Sequence, residues 1–83
     1  ANNQIKNNAL GLIEKIQEVG TNLLVIKTAI GSAQQVALYL DNCDWSGIVG
    51  NVGGDDTVFT AVSNKTAQRA LLNKINYLAT SSR

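Results

Sequence analysis

The chain has 83 residues and a formal charge of +1, its seven basic residues scattered and never in a run, so it lacks the electrostatic footprint of a nucleic-acid surface. A single cysteine and no histidine exclude an internal disulfide and leave a poor donor set for structural zinc, and no apolar run reaches membrane-spanning length and no signal peptide is visible. What remains is one small domain, rich in Leu, Ile, Val and Ala, which buries about 60% of its unfolded surface and gains much from oligomerising; a reducing cytoplasm suits it.

Ala1 to Asn8 is asparagine-rich, begins without methionine and reads as the end of a linker from a longer protein. Residues 1–9 are therefore assigned to that linker, 10–80 to the folded domain and 81–83 to a frayed end, with Thr80, Ser81 and Ser82 expected to fray. Ala9, Leu12, Ile13 and Ile16 fall at helical spacing, with Glu14 and Glu18 four residues apart, so periodicity alone favours a helix from Leu10 to Val19. Leu23 to Thr28 is a β-rich run suited to a central strand covered on at least one face.

After Gly31, Ser32 with Gln35 three residues on predicts a capping box. Ala33, Val36, Ala37 and Leu40 then form the apolar stripe of a helix ending near Asn42, while Gln34 and Asp41 share a polar stripe two turns apart. The single Cys43 reads as a small semi-buried apolar residue. Trp45 to Val52 and Thr57 to Val62 predict two strands joined as a hairpin, and Ser63 or Asn64 caps a last helix with core residues Ala67, Ala70, Leu71, Ile75 and Leu78. Lys74 and Arg83 lie toward the end of that helix, where its dipole favours cations.

The hairpin turn carries the chemistry. Gly53 and Gly54 can take positive φ, which would let the chain reverse and bring backbone amides close to a ligand, and Asp55 and Asp56 place two carboxylates on that turn. Successive side chains of an extended segment point apart, so the two acids serve different partners. Without histidine, a base beside Cys43 or a serine, or a phosphate-binding glycine loop, catalysis has little to stand on; a two-carboxylate hydrolase using Asp41, Asp55 and Asp56, or magnesium on the same acids, would be its form. A ligand with a guanidinium group explains more of the pattern, including the polar helix stripe, than either of these, because a planar cation with five donors is best met by carboxylates taking two parallel hydrogen bonds.

Gly50-x-x-x-Gly54-Asp55-Asp56-Thr57 resembles the signature of the C-terminal domain of bacterial arginine repressors. The likeness extends through Leu24-Val25-Ile26-Lys27-Thr28, Gly31-x-Ala33-Gln34 and Leu40-Asp41-Asn42-x-Asp44-Trp45, from about Gly11 to Leu78. It implies a strand, not a helix, at about Leu12 to Gln17, and with it an α+β, two-layer fold of order ββαββα: a four-stranded antiparallel sheet with two helices on one face. It further implies no enzyme and no metal, but an L-arginine-sensing, oligomerising domain of a transcriptional regulator of arginine metabolism. By the same resemblance Ala33, Gln34, Asp41, Asn51, Gly53, Asp55 and Asp56 line the arginine site, the partners are copies of the chain in trimers that pair into hexamers, and operator DNA is met only through an N-terminal domain. The competing class is a structural assembly module of a paralogue that no longer responds to arginine. The chain departs from the family pattern at Asn51, where threonine is usual, at Gly53, where alanine or cysteine is, and at Ile30, where proline is.

Overall fold

Alternation along two central strands divides the molecule into a covered and an open side. The computed structural model describes residues 9–81, and its sheet comprises β1 (Ile13–Val19), β2 (Leu23–Thr28), β3 (Ile48–Gly53) and β4 (Thr57–Val62), every neighbouring pair antiparallel, in the order β1-β2-β4-β3. Leu24, Ile26 and Thr28 of β2 and Val58, Thr60 and Val62 of β4 are all buried, whereas their alternates Val25, Lys27, Phe59 and Ala61 are not. A period of two has one physical reading: one face of the sheet is packed and the other is not.

The packed face carries both helices, α1 (Ala33–Cys43) over β3 and β4, and α2 (Lys65–Ser81) mainly over β1. Leu24, Ile26, Val36, Leu40, Val58 and Ile75 are fully buried and join the two helices to the sheet in one core. Each such side chain contributes about 1.5–3 kcal/mol through burial. The architecture is the α+β, ββαββα sandwich that the resemblance implies, and residues 13–19 pair with β2 as a strand despite their helical spacing. A short helical turn at residues 9–11 precedes that strand, with Ala9 and Leu10 buried. Local periodicity loses here because β1 packs Ile13 and Ile16 inward through a register irregularity between Ile13 and Lys15, so its apolar residues need not alternate strictly. The asparagine-rich segment 1–8 and the last two residues lie outside the described residues.

Several local expectations are corrected. Ser32 precedes α1 at φ −108°, ψ 0°, outside the extended conformation a capping side chain needs, and it makes no side-chain cap. The Asp55 carbonyl takes that place, accepting from the amides of Gly31 (2.9 Å) and Ala33 (3.3 Å). At the far end, α1 stops at Cys43, and Asp44 adopts a left-handed φ of 52°. β3 begins at Ile48, because Trp45 to Gly47 turn first.

In α2, Asn64 is the cap, its Oδ1 accepting from the Ala67 amide at 2.8 Å. Ala70 is exposed; the buried position on that turn belongs to Gln68, whose Nε2 donates to the carbonyls of Gly20 (3.0 Å) and Leu23 (2.9 Å). Lys74 lies 4.8 Å over the Trp45 ring and so serves an aromatic face, not the helix end. The helix runs on through Ser81, into the stretch read as a frayed end, and Cys43 is a half-buried free thiol.

Candidate ligand site

The acidic turn is tied to the start of α1 by its backbone. Besides the two bonds to Asp55, the Asp56 carbonyl accepts from the Thr28 amide at 2.8 Å, and Gly54 N–H donates to the Thr57 carbonyl at 2.8 Å. Neither Gly53 nor Gly54 has positive φ; Gly20, Gly31 and Gly47 do. The sequence reading of the glycine pair is therefore wrong in mechanism. Gly53 is required by contact: a Cβ there would lie 2.9 Å from the Ala33 carbonyl oxygen and 3.2 Å from the Gln34 amide nitrogen. The end of β3 thus abuts the first turn of α1 with no room for a side chain.

Because main-chain groups do the anchoring, both carboxylates stay outside the packing. Asp55 is exposed. Asp56 accepts at Oδ1 from the Thr57 hydroxyl (2.9 Å), which itself accepts from Lys27 Nζ (2.7 Å), and Lys27 Nζ lies 3.6 Å from the same oxygen. The Thr57 hydrogen bond, followed by the Lys27 charge, holds the Asp56 carboxyl below its ordinary 3.8.

A second polar group lies further along α1. Asn51, on β3, donates from Nδ2 to Asp41 Oδ1 at 2.7 Å and accepts at Oδ1 from the buried Thr60 hydroxyl at 2.6 Å. The amide can do both because it has a donor and an acceptor end, so it links the core to an exposed helix carboxylate. Asp41 also lines a cleft of about 180 Å³ with Leu40, Asp44, Trp45, Ile48, Val49 and Gly50. That is below the roughly 300 Å³ at the small end of ligand pockets.

The seven sequence-picked residues therefore fall into two sets in one chain. Ala33, Gln34, Gly53, Asp55 and Asp56 gather where the turn meets the start of α1, with Ala33 buried and Gln34 exposed. Asp41 and Asn51 form the other, seven residues along the helix from Gln34 and so about 10 Å away along its axis. Among the described residues no three acid or thiol groups gather as metal ligands would. Lys27, Thr57 and Thr60 carry no sequence signal of a site on their own, although Lys27 and Thr57 stand in stretches that resemble the family. Only strand register, which sets Lys27 opposite Thr57 and Asn51 opposite Thr60, brings them in.

A four-stranded antiparallel sheet with two helices on one face and an acidic turn at one end defines a small α+β domain. Comparison with known proteins narrows the class. The family model of the arginine repressor C-terminal domain matches residues 12–77, and the chain belongs to that family. Relatives named arginine repressor include one from Koribacter versatilis, 49% identical over 53 residues, covering 63% of this chain and 36% of the relative. One from Pelotomaculum thermopropionicum is 43% identical over 58 residues (70% and 38%), and one from Thermotoga maritima 37% over 73 residues (88% and 47%). The chain spans less than half the length of these relatives, whose names are those of regulators and not enzymes.

Proposed function

We propose that this chain is the arginine-sensing and oligomerising domain of a cytoplasmic transcriptional regulator of arginine metabolism, in which operator DNA is met by a separate domain. The observation that carries the reading is the acidic turn, held by main-chain bonds to the start of α1, with the Asp55 carboxylate exposed and the Asp56 carboxylate engaged only at the surface, by Thr57 and Lys27. A guanidinium presents five donors in a plane and pairs with such groups through charge-assisted hydrogen bonds, each worth about 1.5–3 kcal/mol. Ala33, Gln34, Asp41, Asn51 and Gly53 complete the proposed arginine site, whose two sets of groups are bridged once a second copy lies against them.

The open sheet face supplies a surface for that assembly. Val19 stands opposite Leu23, Leu23 opposite Ala61, Val25 opposite Phe59, and Phe59 opposite Val52, an apolar band across all four strands. Phe59 is 52% and Val52 73% exposed. Burial of such a band drives self-association, here proposed to give trimers that pair into hexamers. Carboxylates brought together by symmetry repel, a cationic ligand relieves the repulsion, and binding and assembly then strengthen each other reciprocally.

Sedimentation velocity of the chain with L-arginine, against L-lysine at matched charge, tests the reading. Arginine alone should shift the chain to the larger oligomer, and Asp56→Asn should weaken calorimetric arginine affinity about 10- to 150-fold. Indifference to both amino acids would instead identify a purely structural assembly module.

A further inference from the structure

We infer that Lys27 is a resident counter-ion that competes with the cationic ligand for Asp56 and so sets the affinity of the arginine site. The inference rests on the arginine reading above and adds to it a residue that no part of that reading used. Lys27 lies on the open face of the sheet, in β2, with Thr57 opposite it on β4 and Lys15 opposite it on β1. Like charges directly opposite each other across an antiparallel pair are unfavourable. That repulsion favours turning the Lys27 ammonium away from Lys15 and toward β4, where its Nζ lies 2.7 Å from Thr57 Oγ1 and 3.6 Å from Asp56 Oδ1.

The arrangement occupies Asp56 without saturating it. At 3.6 Å the ammonium attracts the carboxylate by charge and is too far for a direct hydrogen bond, and both side chains are nearly half exposed, 46% and 44%. Solvent screens a pair of this kind, so a better-matched cation can displace it at small cost. A guanidinium is that cation, because it can bond both carboxylate oxygens at once, which a single ammonium at this distance does not. Lys27 thus neutralises Asp56 when arginine is absent and yields when it is present. It acts through Asp56 and is a positioning residue.

Calorimetry of L-arginine binding to the unmodified chain, Lys27→Gln and Lys27→Arg tests the competition. Removing the competitor should tighten binding about two- to fivefold, the range set by a screened surface pair. The arginine side chain, a stronger resident partner for the carboxylate, should weaken binding by a similar factor. Unchanged or weaker binding in Lys27→Gln, or tighter binding in Lys27→Arg, would overturn the inference. Carboxyl-carbon NMR titration of Asp56 without ligand gives a second readout. In Lys27→Gln its pKa should rise toward the ordinary value, and no rise would mean that Lys27 does not hold the carboxylate. If none of the three proteins bound arginine, the arginine reading itself would fall, and the titration would still decide whether Lys27 occupies Asp56.

Discussion

The two hairpin turns of this domain differ in how far side chains hold them: both take main-chain bonds, but the first is also gripped by a helix side chain. The β1–β2 turn, with Gly20 at φ +59°, is gripped by side chains of α2: Gln68 donates to the carbonyls of Gly20 and Leu23. On the strand leading into it, Arg69 makes two bonds of 3.0 Å to the Glu18 carboxylate. The β3–β4 turn is held to its neighbours by main-chain bonds from Thr28, Gly31 and Ala33, and its carboxylates are left outside. Side chains that anchor a turn are consumed by it. A turn anchored through its backbone leaves its side chains less committed: Asp55 is exposed and Asp56 is held at 3.6 Å by Lys27, whereas Glu18 takes two 3.0 Å bonds from Arg69, which is why the proposed recognition falls on the two aspartates.

The contrast is sharpest at Gln68. Gln68→Ala should cost about 2–3 kcal/mol in urea denaturation, because the part-buried carbonyls of Gly20 and Leu23 lose their donor and a cavity opens where the buried side chain was. Asp55→Ala, whose carbonyl and not its carboxylate caps α1, should stay within about 0.5 kcal/mol of the parent. A large loss in the second would break the comparison. Gly53→Ala, toward a residue usual in the family, should cost about 1–3 kcal/mol by driving its methyl against the Ala33 carbonyl. A neutral result would mean that α1 shifts freely against β3, which a crystal structure of the variant would reveal.

Smaller effects follow from charges. Arg69→Ala should lose about 1 kcal/mol or less, since the arginine is 59% exposed, and a double-mutant cycle with Glu18→Gln isolates the pair. The smallest concerns Asp56. Its carboxyl lies below the ordinary 3.8 in the folded chain, so the favourable contribution is present above that value and fades as pH falls through the lower, folded value. Denaturation midpoints should lose this part as pH falls below the ordinary carboxylate value, and in Lys27→Gln the loss should begin at higher pH.

Much of this domain is local and could be read from the chain. The alternation of Val58, Thr60 and Val62 against Phe59 and Ala61 belongs to a half-buried strand, and Val36, Ala37 and Leu40 to a helix stripe, because each pattern is a property of neighbouring residues. The cap at Asn64 is of the same kind. Ala70 and Gln68 show where such reading stops: two positions on one helix turn exchange places because the partner of Gln68, the turn at Gly20, lies nearly fifty residues away.

The site divides along the same line. Adjacent aspartates after a glycine pair were legible, as were Gln34 and Asp41 on one polar stripe. The role of Gly53 was not, since it arises from the closeness of α1 and not from its own φ. Likewise, only the pairing of β2 with β4 brings Lys27 beside Thr57 and Asp56, and only that of β3 with β4 sets Asn51 between Thr60 and Asp41. The residue pattern by itself determined the elements other than β1, the acidic turn and the family likeness; tertiary structure made β1 a strand and decided which carboxylates are free and which are occupied, because occupancy depends on groups that only strand register and helix packing bring together.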